Sequence, residues 1–465
     1  MNRIFGAARW RPAWAAGAMC AAVALAAPAT SGAQALRIPY RSFTLPNGLK
    51  VIVHEDHSVP IVTVNTWYHV GSADERPGRT GFAHLFEHLM FMGSEHAEYP
   101  AFDRLLEAAG ANNNGSTTED RTNYYEYGPS SALPLMLWLE ADRMGGLVPV
   151  MTGEKVDLQR DVVKNERRQS YENQPYGLST ETILAMLYPN GHPYSWPVIG
   201  SMADLSAASL EDVKDFFRRH YAPNNASLVV AGDVKPAEVL RLAREYFEGI
   251  PRGPETTRSD AAPVALAHDT AGVLEDRVQL ARLYYVWPTV KGFTPDDPAL
   301  ELLAYLLAGE KNSRLTHALV YDRQIASDVY AYQDGKRIAG DFWVVATAKP
   351  AQALPDLQRI IEAELKRIAV DGPTAREVDQ ARNATEASFL RRLETVNEKA
   401  DALNGYYVRL GQPDMFEDHL RRYRAVTAQD IQRVARQYLQ APRVVLSVVP
   451  QGHADLAAKM EEVTP

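Results

Sequence analysis

His84-Leu85-Phe86-Glu87-His88 is the stretch whose residue types and spacing are suited to chemistry. On a helix, residues four apart project from one face. His84 and His88 can therefore each offer a ring nitrogen to one small cation at about 2 Å. Glu87 stands beside them, placed to hold a water on that cation and to take its proton. Two neutral imidazoles with room left for water describe a catalytic rather than a closed structural zinc site. The competing reading is a helix with two partly buried histidines that serve packing alone, and the flanking helix signals favour the metal. A third ligand is needed, and a carboxylate from another helix suits it. Pattern alone leaves Glu107, Glu140, Glu154, Glu166 and Glu172 as candidates.

The elements that must position these residues are legible in outline. Gly81 to Met92 has helical spacing, with Phe82, Leu85, Phe86 and Leu89 on its apolar face and Gly93 suited to ending it. Leu45-Pro46-Asn47-Gly48-Leu49 predicts a hairpin turn leading into the strand Lys50 to Val53. Pro60 to Val70 and Ser227 to Ala231 read as strands; 132–144, 154–171 and 210–221 read as helices. Residues 251–272 are rich in Pro, Thr, Gly, Ser and Asp and read as a linker. Beyond it, Val278 to Trp287 and Phe342 to Ala348 read as strands, Pro298 to Leu307 as a helix, and 352–410 as long helices. Asp212-Val213 opens a helix before one strand as Asp430-Ile431 does before another, an offset of 218 residues. The same offset sets the strand at Pro60 on Val278 and the helix that starts at Phe82 on the helix that contains Ala299, which points to a duplicated unit.

The 465 residues are 46% hydrophobic and 23% charged, which excludes a disordered or fibrous chain and leaves room for two or three domains. With 49 Lys and Arg against 58 Asp and Glu the formal charge is −9, which argues against a nucleic-acid partner. Arg3, Arg9 and Arg11 precede an Ala-rich apolar stretch, Ala13 to Ala27, and a small-residue site at Ala33-Gln34-Ala35. This reads as a secretory signal peptide, residues 1–35, cleaved after Ala35. Cleavage removes those three arginines, taking the charge from −9 to −12, and removes Cys20, the single cysteine. The expectation is a periplasmic or secreted protein without disulfides and without a membrane span in its mature chain.

On these residues the sequence resembles the pitrilysin/insulinase family of zinc peptidases, the inverted zincins marked by His-x-x-Glu-His, and most of all its bacterial and mitochondrial-processing-type members. The resemblance covers nearly all of residues 40–450. It implies one Zn²⁺ per chain and a third ligand in a helix 75–80 residues past the second histidine. Glu166, 78 residues past His88 in Asp161-Val162-Val163-Lys164-Asn165-Glu166, fits that place. Gln159 stands where the family often has a second Glu, keeping hydrogen bonding without the charge. Asn114-Gly115-Ser116-Thr117, followed by Asp120, Thr122 and Tyr124, resembles the family's Asn-Ala-x-Thr edge strand, which pairs with the substrate backbone. Asn114, Gly115 and Ser116 are thereby implied in substrate binding, and Gly115 in place of Ala is expected to loosen the strand.

By the repeat, His84, Glu87 and His88 fall on Leu302, Tyr305 and Leu306, so the second unit has the helix without the ligands. The family's Arg and Tyr substrate clamp aligns with Val320 and Ser327 and is absent. Pattern and resemblance together imply an α+β fold of two homologous domains, each a mostly antiparallel sheet covered by helices, forming half of a clamshell. The domains expected are a metal-bearing one at 36–250, a linker at 251–272 and a second, inactive one at 273–465. The function implied is zinc-dependent endopeptidase action on peptides or unfolded polypeptides. Glu87 is then the catalytic base, His84, His88 and Glu166 the metal ligands, and a second family chain carrying the clamp the partner. A homodimer is the alternative assembly. The alternative functions are a non-catalytic assembly subunit of the same fold and a zinc-storage module.

Overall fold

The computed structural model describes residues 35–350 and 354–459. Apart from Ala35, the leader read at residues 1–35 lies outside them. From Arg37 the chain forms one compact unit built on two sheets. The first sheet contains β1 (Arg41–Thr44), β2 (Lys50–Glu55), β3 (Ile61–Tyr68), β4 (Asn112–Thr117), β5 (Thr122–Pro129) and β6 (Ala226–Gly232). The second contains β7 (Thr270–Asp276), β8 (Arg282–Thr289), β9 (Ala326–Gly335), β10 (Gly340–Ala348) and β11 (Val444–Pro450). Their orders are β1-β2-β6-β3-β5-β4 and β7-β11-β8-β10-β9. With β1 set aside, the two orders superpose strand for strand. Each sheet holds one parallel pair, β2–β6 and β7–β11, among antiparallel ones.

The duplication is visible at the level of caps as well as topology. The helices Leu210–His220 and Ala428–Tyr438 both open with a capping box, Ser209 with Asp212 and Thr427 with Asp430. Each then leads into the strand that pairs centrally in its sheet, β6 or β11.

The predicted hairpin forms between β1 and β2, with Gly48 at φ 97°, a conformation open to glycine. Two strand readings need correction. The strand expected at Val278 to Trp287 is β8, which begins at Arg282. The tail of the segment read as linker is already strand, because β7 begins at Thr270. β7 is a half-exposed edge strand whose alternation is blurred by Gly272 and two acidic residues. Its pairing with β11, far along the chain, sets its place.

One face of each sheet is covered by its own helices. Val51, Val53, Val62, Val64 and Tyr68 meet Leu85, Phe86 and Leu89 in the first core. Leu283, Tyr285 and Trp287 meet Leu302, Leu303 and Leu306 in the second. The places that aligned with His84 and His88 are thus occupied by two buried leucines, Leu302 and Leu306.

The remaining faces are covered by exchange between the halves. The helix Ser179–Leu187 sends Ile183, Leu184 and Leu187 against Tyr284, Val286, Leu446 and Val448 of the second sheet. Each such side chain contributes about 1.5–3 kcal/mol by burial. In return, the helix Val396–Leu410 lies on the first sheet through polar contacts. Asn404 donates to Asn65 O (3.0 Å) and accepts from Ser227 Oγ (2.5 Å), and Asp401 accepts from Trp67 Nε1 (3.2 Å). These buried polar groups are stabilised by one another in place of water. Among the described residues no helix is long and apolar enough to cross a membrane.

Candidate metal centre and substrate edge

The helix Phe82–Leu89 turns Leu85, Phe86 and Leu89 into the core, which leaves His84, Glu87 and His88 on its other side. Its start is fixed by a group that sequence reasoning missed. Glu75, carried on the preceding loop, accepts from Gly81 N (2.9 Å) and Ala83 N (2.7 Å), two amides the helix itself cannot satisfy. Gly81 has φ 85°, and a Cβ there would meet Ile199 O at 2.6 Å, so glycine is required. The signal was present as an acidic residue shortly before the helix, but its sequence distance exceeds that of an ordinary cap.

Glu166 arrives from the helix Gly153–Arg167, which packs on the histidine helix. Its carboxylate oxygens lie 3.7 Å from His84 Nε2 and 3.3 Å from His88 Nε2. Four ligands at about 2 Å around a tetrahedral zinc are separated by about 3.3 Å, so the three side chains are already spaced for one ion. Among the described residues theirs is the group of His, Asp and Glu with metal-ligand spacing. Protonation also suits a cation. Burial, partly offset by Glu166, lowers the His84 pKa to about 4, which leaves it neutral near pH 7. The hydrogen bond from His88 holds the Glu166 carboxyl below its usual range. The side chains of His84, His88 and Glu166 keep 13%, 24% and 39% of their exposure, so the cluster opens to solvent on one side.

The other candidate carboxylates lie elsewhere. Glu107 and Glu154 are exposed. Glu140 is buried against Arg143, and Glu172 lies 3.5 Å from Arg167. Gln159 donates to Met92 Sδ at 2.9 Å, a neutral partner consistent with an amide in place of a carboxylate.

Glu87 faces β4. Its Oε2 accepts from Thr117 Oγ1 at 2.5 Å, and burial raises its pKa against that bond and the charges of His88 and Arg121. β4 is the outer edge of the first sheet and pairs with β5 in unbroken register from Asn112 to Thr117. Gly115 keeps that register, paired with Tyr124. Its role is closeness: a Cβ at Gly115 would stand 3.1 Å from Glu87 Cγ and 3.2 Å from Oε1. The Gly115 amide donates to Asn114 Oδ1 (2.8 Å). Arg121, unassigned from sequence, donates to Ser116 O (2.8 Å) and Oγ (2.6 Å) while lying over the Trp67 ring at 5.1 Å. It braces the end of the edge strand. Val320 packs on the second core, and Ser327 on β9 donates to Asp328, so neither offers a cation or a ring.

Comparison with known proteins accords with this geometry. The insulinase (peptidase family M16) model matches residues 50–195, and the peptidase M16 inactive domain model matches residues 207–385. The zinc protease PqqE of Helicobacter pylori is 30% identical over 424 residues, 89% of this chain and 93% of that one. The chain belongs to peptidase family M16. A probable mitochondrial-processing peptidase subunit beta of Arabidopsis thaliana is a further relative, 26% identical over 88% of this chain and 78% of its own. Among solved structures, a protease from Helicobacter pylori superposes with a TM-score of 0.84 at 27% identity, covering 89% of this chain and 100% of that one. The first half of the periplasmic protease PqqL from Escherichia coli superposes at 0.75 and 19% identity, covering 92% of this chain and 95% of that one. The M16 fold and its two-sheet, helix-covered architecture are therefore those of this chain.

Proposed function

We propose that this M16 chain is a zinc-dependent endopeptidase acting on peptides or unfolded polypeptides. The observation that carries the reading is the convergence of His84, His88 and Glu166 on one point, with Glu87 beside them and an open strand edge within its reach. A zinc ion held by those three side chains would supply Lewis acidity to a water and to the scissile carbonyl. Glu87 accepts the proton of the attacking water and delivers it to the leaving amine. Burial raises its basicity above that of a surface carboxylate, against the opposing hydrogen bond from Thr117. Asn114, Gly115 and Ser116 hold the peptide as an added strand on β4, so main-chain hydrogen bonds bring its carbonyl to the cluster and side-chain selectivity stays broad.

In this reading residues 36–250 are the metal-bearing domain, and the connection after it ends where β7 opens the inactive domain at Thr270. The leader directs the chain to the periplasm or the outside. The partner is a second family chain that carries the missing Arg and Tyr. Support for a two-part enzyme comes from the fold: this chain covers 49% of the full PqqL chain.

The test is Glu87→Gln. Wild-type protein, with zinc and, where needed, its partner, should cut an internally quenched peptide and lose that activity to a chelator. The variant should keep its zinc and lose turnover. Full turnover in Glu87→Gln, or loss of its zinc, overturns the assignment.

A further inference from the structure

A cavity of about 360 Å³ lies beyond the C-terminal end of the Glu166 helix. Its walls come from both halves: Tyr171 and Tyr176 from the first, and Arg282, Tyr330, Tyr332 and Trp343 from the second. The rings of Tyr330, Tyr332 and Trp343 form one stack, with successive centroids 6.3 and 5.7 Å apart and planes within 12°. Tyr330 and Tyr332 stay 39% and 40% exposed, so two of the three rings face solvent while Trp343 anchors the stack in a core.

Arg282 is unusual in this setting. Its guanidinium carbon lies 3.7 Å from the centre of the Tyr176 ring; its Nε donates to Thr347 Oγ1 (2.8 Å) and its Nη1 reaches Tyr284 OH (3.5 Å). Among the described residues no carboxylate pairs with it directly. Asp328, the acid next to it, takes the Thr347 hydroxyl instead (3.0 Å). A half-buried guanidinium with neutral partners keeps donors free for an incoming anion, and its planar fork matches a carboxylate.

The backbone is shaped to hold this arrangement. Tyr176 has φ 64°, a left-handed conformation rare for a bulky side chain. It is kept there by its amide on Asp276 (2.8 Å) and its hydroxyl on Leu280 O (2.8 Å). The next residue is Gly177, where a Cβ would stand 2.0 Å from Tyr171 O. Non-glycine residues in this region persist where the surroundings over-determine them, and such sites cluster at ligand clamps.

One wall of the cavity follows the metal cluster along the chain. The helix Gly153–Arg167 continues through the wider turn Arg168–Glu172, so Tyr171 follows Glu166 along one helical run. Five residues at about 1.5 Å each place it roughly 8 Å along the axis. An extended peptide covers about 3.3 Å per residue, so this is a step of two or three residues.

We propose that this cavity is a specificity subsite that binds a carboxylate of the peptide substrate on Arg282, with its near wall two or three residues from the bond cut. The carboxylate is that of an Asp or Glu side chain or of a free C-terminus. The proposal rests on the peptidase reading for its role but not for its binding chemistry.

Two measurements separate them. In the first, quenched peptides carrying Glu, Gln or Lys at each position around the cut are compared by kcat/KM in wild type, Arg282→Gln and Arg282→Lys. Wild type is expected to favour Glu over Gln by about tenfold at one such position, the worth of one charge-assisted hydrogen bond. Lys should be disfavoured there. Arg282→Gln should bring the Glu-to-Gln ratio to about one, and Arg282→Lys should retain part of it. In the second, Kd values of fluorescent peptides are measured on the Glu87→Gln protein, with acidic or neutral side chains and free or amidated C-termini. The same preference should appear there, and the amidated set tells which carboxylate is the source. An acid preference in binding without cleavage by any preparation would sink the peptidase reading and leave the subsite standing. Wild type that binds and cuts Glu, Gln and Lys peptides alike, or prefers Lys, overturns the subsite whatever the variants do.

Discussion

Gly115→Ala should separate stability from turnover. The Gly115 backbone does not occupy the left-handed region, so alanine fits it without conformational strain. Removing a glycine's freedom from the unfolded chain stabilises by about 0.4–1 kcal/mol. The new methyl, however, lands 3.1 Å from Glu87 Cγ, 3.2 Å from Glu87 Oε1 and 3.3 Å from Asn123 O. Carbon contacts settle at about 3.5–4.0 Å. Relief therefore needs roughly half an ångström of movement. Asn123 O belongs to the neighbouring strand β5, so the Glu87 side chain is the softer partner. It must swing from β4 and stretch its bond to Thr117. A displacement of about 1 Å at a reacting group can cost 100-fold, so half of that corresponds to about a tenfold fall in kcat. The assay is steady-state cleavage of a quenched peptide by zinc-loaded protein, with zinc content measured alongside and unfolding followed in urea. The expected result is an unchanged zinc content, an unfolding midpoint equal to or above wild type, and a kcat lower by about tenfold. A kcat equal to wild type, with zinc bound, refutes the close contact between Glu87 and β4 and the reasoning built on it.

Other perturbations test other parts of the structure. Glu166→Ala should lower zinc affinity at least tenfold in competition with a chelator while leaving the far-ultraviolet spectrum unchanged; undiminished affinity removes Glu166 from the ligand set. Arg143 lies buried between Glu126 and Glu140, and burial, with Glu140 beside it, pushes the Glu126 carboxyl well up, so Arg143→Leu leaves the pair's buried negative charge without its cation. It should cost about 3–5 kcal/mol in urea unfolding, and a loss under 1 kcal/mol would contradict a buried ion pair. His419 stacks on Phe389 with centroids 4.6 Å apart, and burial, with Arg422 and Arg392, lowers its pKa to about 4 from 6.5. A base with its folded pKa depressed contributes stability above pH 6.5 that is lost as pH falls through 6.5 to about 4. His419→Phe keeps the ring and removes the proton site, so it should flatten part of that decline; an identical pH slope in the variant contradicts it.

Much of the site was legible because its chemistry is local in sequence. His84 and His88 share a face through helix geometry alone, and Glu87 is fixed beside them by one covalent step. The periodic apolar residues Leu85, Phe86 and Leu89 also determined which face would be inward. The Asn47-Gly48 turn, the helix at Leu210 and the 218-residue repeat were readable for the same reason, since capping residues and alternation act within a few positions. Glu166 was different: spacing left it among five carboxylates, and only the resemblance singled it out. The packing of its helix on the histidine helix is what brings its oxygens to 3.3 and 3.7 Å from the imidazoles.

Tertiary structure alone decided the rest. That Glu75 caps the histidine helix, that Arg121 braces Ser116 and that Gly115 lies against Glu87 are facts of close approach, which no periodicity records. β7 hides in a segment read as linker because an edge strand with a half-exposed pattern takes its place from a partner strand far along the chain. The exchange of Ser179–Leu187 and Val396–Leu410 between the two sheets, and the aromatic cavity over Arg282, both depend on residues more than 100 positions apart. The sequence by itself determined the reactive types, their helical spacing and the doubled pattern of elements, because these follow from backbone periods. The distances from Glu166 to the imidazoles come from helix packing within the first half, and the cavity that Arg282 lines comes from how two separately patterned halves close on each other.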